Sequence, residues 1–477
     1  MIVRSMPDGD GAAIGRDAAH PDGIMGAVPT LGARLMVAGT HSGVGKTTVA
    51  TGLMAAFRRR GVAVAAAKVG PDYIDPSYHA LATGRPGRNL DPWLCGTDVI
   101  APLAGRAAEG CELLVVEGVM GMFDGAEDPD GPSASTAQVA ALLDAPVVLV
   151  VDASAMSRSV AALVHGFATF DPSVDVAAVV LNRVGSESHE RMLRAALEPL
   201  DIPVLGALRR DDSFAWRDRH LGLVPVAEHP DEVRASLAAL GTAIEEACDL
   251  DGLLAIARDA SRPGVSTPPR AWHQGRVRVG VASGPAFSFV YEDNLEALQQ
   301  AGAELVPFDP TTEPHLPANL HGLYAGGGFP EVFVGALAAN RTMLADLRVQ
   351  VEHGLVTWAE CGGLLWLCRA LDGHRLAGAV PAEGRMTDRL TLGYRHLWPR
   401  VDTPLAPAGT ELRAHEFHYS VLEPPGDAID YRGRHGADRS GYASASLMAS
   451  YLHLHLGGDP APAERFVQTA AARAPRS

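Results

Sequence analysis

Short runs rich in β-branched residues or alanine alternate along the chain with longer stretches whose apolar positions recur at helical spacing. Arg34–Ala38, Val62–Ala67, Leu113–Val116, Val147–Val151, Ala177–Leu181 and Ile202–Leu205 read as strands. Thr47–Arg60 reads as a helix stopped by Gly61. A Pro-rich polar stretch, Ser261–Gln274, breaks this rhythm. It restarts with strand Val277–Ala282, helix Glu292–Ala301, and strands Glu304–Phe308, Gly322–Ala325 and Leu355–Ala359, with helix Leu364–Ala370 after the last. Alternation of this kind predicts α/β layers around parallel sheets. No internal repeat is visible, so two different α/β domains are expected, over 31–250 and 276–477, joined by a linker over 251–275. Residues 1–30 lack the apolar core of a signal peptide and read as a disordered extension.

Composition narrows the partners. A length of 477 residues suits two domains of about 200 residues each. No apolar run approaches the roughly 20 residues of a membrane helix. The net charge of −16 argues against nucleic acid and requires a local basic pocket for any polyanionic substrate. The five cysteines are scattered and never form a CxxC pair, which points to the reducing cytoplasm and away from disulfides or zinc. The sequence does not fix the oligomeric state; a homodimer is compatible with it. Of the 40 basic residues only Lys46 and Lys68 are lysines. A chain so biased towards arginine keeps lysine where a planar guanidinium cannot replace a compact ammonium.

Lys46 lies in Gly39-Thr40-His41-Ser42-Gly43-Val44-Gly45-Lys46-Thr47-Thr48, between a strand and a helix. Such a turn presents backbone N–H groups to phosphate oxygens, with lysine reaching the β/γ-phosphates and the Thr47 hydroxyl on Mg²⁺. Thr40, Ser42, Gly43, Val44, Gly45, Lys46, Thr47 and Thr48 are therefore the expected nucleotide-binding residues, although Thr40 stands where the usual pattern has its first glycine. Lys68 opens a loop rich in Asp, Gly and Pro that runs through Asp72, Tyr73 and Asp75, with Arg85 and Arg88 beyond. Acids in this loop can hold a metal, and the bases can hold a carboxylate substrate. Glu117, at the end of an apolar strand and beside glycine, has the placement of a Mg²⁺ ligand.

In the second half Cys361 sits between a strand and an apolar helix in Ala359-Glu360-Cys361-Gly362-Gly363. Small residues on both sides permit the tight elbow that exposes a nucleophile, and the helix N-terminus favours its thiolate. Gly326, Gly327 and Gly328 offer backbone N–H groups for an oxyanion hole. The base must be a histidine: His453 or His455 near the C-terminus, or His415 or His418 in the HEFHYS string.

The strings KVGPDYIDPSYHALATGRPGRNLDPWL, VEGVMGMFDG, LNRVGS and RHLGLVP resemble the synthetase domain of the cobyrinic and hydrogenobyrinic acid a,c-diamide synthases. The phosphate loop resembles the dethiobiotin synthetase branch. Partition-type ATPases, the rival of a different class, carry a signature lysine where this chain has His41. Cobyric acid synthase, nickel-sirohydrochlorin a,c-diamide synthase and an enzyme of a lipid-linked cell-wall precursor are rivals of the same chemistry. The resemblance implies a P-loop NTPase-like parallel-sheet domain fused to a flavodoxin-like class I glutamine amidotransferase domain. It implies Mg²⁺, ATP and L-glutamine, and a tetrapyrrole-derived polycarboxylate amidated at its a and c acetates. It makes Asp72 and Glu117 metal ligands, places Asp75 beside the reacting carboxylate and Asn182 at adenine, and offers Arg219 and His220, with Lys68, Tyr73, Arg85 and Arg88, to the substrate. It also favours His453 as base, and puts His455 where other class I members have the third residue of a triad.

Overall fold

A computed structural model describes residues 31–128, 131–210, 218–219, 222–223, 230–261 and 277–473. The expected extension over 1–30, most of the expected linker and His220 lie outside these residues.

Seven short strands, mostly fully buried runs of the kind a covered parallel sheet requires, build the first domain. They are β1 (Ala33–Gly39), β2 (Val64–Val69), β3 (Arg88–Leu90), β4 (Leu113–Glu117), β5 (Val147–Asp152), β6 (Val176–Val184) and β7 (Val204–Arg209). All pair in parallel, in the order β3-β2-β4-β1-β5-β6-β7, with apolar clusters packed on each face. Lys68 on β2 pairs in register with Glu117 on β4, and Glu117 with Val37 on β1. The carboxyl ends of these strands therefore converge where an open α/β sheet binds ligands. Two short strands, β8 (Asp218–Arg219) and β9 (Gly222–Leu223), pair with each other. Helix Leu250–Asp259 buries Leu250, Leu253 and Ala257 in the same domain, so the expected linker cannot begin at residue 251.

The second domain has two sheets. The first combines β10 (Val277–Ala282), β11 (Ala303–Phe308), β12 (Gly322–Ala325), β13 (Val356–Glu360), β20 (Tyr442–Ser444) and β21 (Leu447–Ser450) in the order β11-β10-β12-β13-β21-β20, parallel except for β20. The second contains β14 (Ala370–Leu371), β15 (His374–Arg375), the long strands β16 (Glu383–Pro399) and β17 (Leu412–Glu423), β18 (Ile429–Gly433), β19 (Gly436–Ser440) and β22 (Leu452–Leu454). It is mainly antiparallel, and the pattern of apolar runs did not predict it. The chain leaves the first sheet at Ser450 and enters the second at Leu452, which brings His453 opposite His415 and into the space beside β13.

Candidate active sites on either side of the domain interface

The turn after β1 is wound tightly enough that only glycine fits two of its positions. A Cβ on Gly39 would lie 2.5 Å from Val44, and Gly45 has φ +95° at the start of helix Lys46–Arg59. Lys46 bends back to donate to the His41 carbonyl at 3.2 Å. Burial, then the like charge of Lys68, lowers its ammonium pKa to about 8. Asn182, expected at adenine, has its amide on the loop itself: Nδ2 donates to the Val44 carbonyl at 2.8 Å.

Beneath the loop lies a buried charged network. Glu117 accepts from Thr47 Oγ1 at 2.6 Å and Lys68 Nζ at 2.9 Å, and meets His79 Nε2 at 2.6 Å. Burial would raise its pKa, but Lys68 above all, with His79 and Thr47, holds it well below the usual carboxylate range. Lys68 also contacts Asp75 Oδ2 at 2.7 Å and the Gly118 carbonyl at 2.9 Å. Burial opposes its charge, but Asp75 and Glu117 keep it above the ordinary lysine value. Asp72 Oδ1 accepts from the N–H groups of Ile74 and Asp75, fixing the start of helix Ile74–Thr83. Both lysines of the chain thus meet at one site, as their rarity suggests. Thr47 and Glu117 are in contact, yet no group of three His, Cys, Asp or Glu among the described residues has metal-binding geometry.

The expected basic surface for a polycarboxylate is largely engaged elsewhere. Lys68 is buried in the carboxylate network. Arg85 donates to the Glu109 carbonyl at 2.8 Å. Arg88 crosses to the second domain, pairing with Asp293 at 2.7 Å and with Glu296. Of Arg219 only the backbone is described.

In the second domain Cys361 has φ +47° and ψ −97°, a strained conformation for a residue with a Cβ. The elbow is locked from behind, since a Cβ on Gly363 would lie 2.1 Å from the Ala325 carbonyl oxygen. Sγ lies 3.6 Å from the Phe417 carbonyl and opens on a cavity of about 1110 Å³ lined also by Gly328, Glu331, Asp388 and His418. Burial, then the charge of Glu331, pushes the thiol pKa up. Of the three glycines, Gly327 directs its N–H to the Phe289 carbonyl at 3.0 Å. The Gly328 nitrogen lies at the elbow, 3.1 Å from where a Cβ on Gly362 would sit.

The histidines separate on geometry. Both ring nitrogens of His418 are engaged by oxygens, Ser420 O at 2.8 Å and Glu416 Oε1 at 3.0 Å, so neither is free to take a thiol proton. His455 meets Cys95 Sγ at 3.1 Å and Asp293 at 3.8 Å, away from the elbow. His453 packs against Gly327, where a Cβ would lie 2.6 Å from its Cε1 and 3.4 Å from its Nε2. Burial lowers its pKa to about 3, so its imidazole is neutral. Its Nδ1, buried without a hydrogen-bond partner, lies 3.9 Å from Glu360. His455 is therefore not the third member of the site.

Tyr73 joins the two sites. Its ring packs at 5.1 Å from His453, 4.4 Å from Tyr291 and 5.1 Å from Phe289, while the chain two residues on carries Asp75. Tyr291 OH donates to the Pro71 carbonyl at 3.0 Å. The LDPWL string also faces the second domain. Asp91 caps its short helix and accepts from Tyr394 OH at 2.8 Å, and Trp93 stacks on Tyr394 at 4.5 Å beside Arg413. His79, Tyr291, Asp293 and Glu360 were not singled out by sequence reasoning. Glu360 carries the signal that identified Glu117, an acid ending a buried strand.

Comparison with known proteins divides the chain at the same place. Residues 35–223 match the CobQ/CobB/MinD/ParA nucleotide binding domain, and residues 278–461 match the CobB/CobQ-like glutamine amidotransferase domain. The chain is 48% identical to the hydrogenobyrinate a,c-diamide synthase of Streptomyces coelicolor, over 91% of this chain and 97% of that one. It is 45% identical to the enzyme of the same name from Thermobifida fusca, over 93% and 98%. With the cobyrinate a,c-diamide synthase of Synechococcus it shares 41% identity, over 91% and 97%. Aligned over nearly the full length of these relatives, and with both of their domains in the same order, the chain belongs to the family of hydrogenobyrinate and cobyrinate a,c-diamide synthases.

Proposed function

We propose that this protein uses ATP and glutamine to amidate the a and c acetate side chains of a corrin-type ring acid in the cytoplasm. The observation that carries the reading is Tyr73, which touches the base of a glutaminase elbow and belongs to the loop of a phosphate site. Among the most similar relatives, those named for hydrogenobyrinate are 44–48% identical and those named for cobyrinate 37–42%, which favours hydrogenobyrinate as the acid.

Cys361 gives its proton to His453 Nε2 and attacks the side-chain amide of glutamine. The Gly328 N–H faces the oxyanion that forms, and the proton passes to the departing nitrogen. Ammonia leaves, and water frees glutamate from the thioester. In the first domain the ring carboxylate takes the γ-phosphoryl group of ATP to give an acyl phosphate and ADP. Lys46 and the loop N–H groups hold the phosphates during this transfer. Thr47, Asp72 and Glu117 offer only oxygen donors, the kind Mg²⁺ takes, and would hold the ion together with phosphate and water; bound there it would neutralise phosphate charge. Ammonia passes Tyr73 and Tyr291, attacks the acyl carbon and displaces phosphate, with Asp75 placed to take the proton it loses. Asp293 Oδ2 and His455 Nε2, buried without hydrogen-bond partners beside Tyr291, give this interior the polarity that a small polar molecule needs.

The test is mass spectrometry of hydrogenobyrinic and cobyrinic acids after incubation with protein, ATP and glutamine. The diamide of at least one acid is expected. Cys361→Ser should need ammonium in place of glutamine. Turnover of neither acid by folded, ATP-hydrolysing protein would overturn the substrate assignment, and full glutamine-dependent activity in Cys361→Ser would overturn the nucleophile.

A further inference from the structure

Cys361 and His453 lack the carboxylate that ordinarily follows the histidine by two residues, because His455 occupies that place and points to Cys95 and Asp293. A neutral base of this kind needs its proton on Nδ1, so that Nε2 carries the lone pair. The surroundings of Nδ1 identify its partner. Glu360, one residue before the nucleophile, is 1% exposed and has Oε2 3.9 Å from Nδ1. Oε2 accepts from Tyr324 OH at 3.0 Å, and Oε1 accepts from the Leu454 N–H at 2.8 Å. The second bond ties the carboxylate to the strand that carries His453. Asn294 anchors the same segment through the Leu454 carbonyl at 2.8 Å and the Leu456 N–H at 2.7 Å.

We propose that Glu360 is the positioning residue of the glutaminase site, holding the proton of His453 on Nδ1 and balancing the imidazolium that forms when Cys361 loses its proton. The residue that completes the triad thus comes from the nucleophile's own strand. This rests on Cys361 and His453 being the nucleophile and base. At 3.9 Å, Nδ1 and Oε2 need close by less than about 1 Å to reach hydrogen-bond distance, the kind of tightening that substrate binding brings to catalytic hydrogen bonds.

Glu360 faces His453, Tyr324, Tyr291, Tyr73 and Cys361, while His415, His418 and Glu416 face His453 from β17. Burial raises the Glu360 pKa to about 8. Burial also pushes the three tyrosines and the thiol upward and lowers His453 and His415 to about 3. Glu360 is deprotonated above its pKa, and the carboxylate is the form that both accepts strongly from Nδ1–H and balances the imidazolium. Glutamine hydrolysis should therefore increase as pH rises through about 8.

Glu360→Gln keeps the shape and can still accept from the Leu454 N–H, but its amide would donate to Nδ1 and move the proton to Nε2. Glutamate release should fall about 100-fold or more, by the precedent of tautomer-reversing substitutions in other catalytic triads. The fall should lie in kcat more than in KM for glutamine, the rise through pH 8 should flatten, and Cys361 should alkylate more slowly with iodoacetamide. The ammonium-driven amidation should persist, reporting an intact fold. Cys361→Ser and His453→Ala run in parallel. If both are inactive with glutamine while Glu360→Gln hydrolyses it within about threefold of wild type with the same pH profile, the role of Glu360 is refuted and the dyad stands. If Glu360→Gln loses the ammonium reaction too, its role is structural and the inference fails. If Cys361→Ser keeps glutamine activity, the underlying reading of the site has failed instead.

Discussion

Lys46 and Lys68 show how rare residues mark chemistry at the scale of the single side chain. Lys46 lies against the phosphate loop, and Lys68 is enclosed by Asp75 and Glu117. A guanidinium is too broad for a loop wound around Lys46, so Lys46→Arg should reduce ATP-dependent turnover about as severely as Lys46→Ala, by roughly 100-fold or more. Near-normal turnover in the arginine variant would contradict this. The ammonium pKa of about 8 adds a pH dependence. Phosphate is attracted only by the charged form, so ATP affinity should fall as pH rises through that value, and calorimetry on Lys46→Ala should find the dependence gone. Residues such as Lys46, Glu117 and Cys361 were legible because local pattern alone marks them. Glu360 carried the same mark as Glu117, but its partner His453 stands 93 residues away and meets it only where the chain changes sheets. Asn182, Arg85 and Arg88 were read from charge and resemblance, and their hydrogen bonds lead to the loop, to a backbone carbonyl and to the other domain.

At the scale of elements, the parallel strands could be read because full burial leaves uninterrupted apolar runs. Strand β3 was missed because it has only three residues, two of them polar. The antiparallel sheet was missed because its main hairpin mixes exposed and buried positions and shifts register between Met386 and Thr391, which removes a clean alternation. The elbow after β13 offers a test at this scale. Gly363→Ala would drive a Cβ into the Ala325 carbonyl, so the domain should lose about 1–3 kcal/mol and glutamine turnover should fall with it. A thermal melt and a glutaminase assay would read both, and a neutral substitution would mean that the elbow is less tightly packed than its geometry indicates. The segment carrying Tyr73 is the other informative element. Tyr73→Ala should open the packing between His453 and Tyr291, releasing ammonia to solvent and producing more glutamate than amide. A one-to-one ratio in that variant would remove Tyr73 from the route.

At the scale of the molecule, the LDPWL string takes on a meaning that depends on residues about 300 positions away. In the sequence it ends a string that resembles a synthetase domain, yet Asp91 and Trp93 dock against Tyr394, His396 and Arg413 of the second domain. Replacing Trp93 by alanine should cost about 3–5 kcal/mol, the range for a buried aromatic, and should uncouple glutamine hydrolysis from amidation. No helix among the described residues is long and apolar enough to cross a membrane. The central claim is that the buried interface carries ammonia from one site to the other without release. It is tested most directly by supplying glutamine labelled with ¹⁵N in its amide together with excess unlabelled ammonium, and weighing the product. An interior route predicts product amides that retain ¹⁵N despite the excess. Product whose nitrogen matches the unlabelled pool would contradict it.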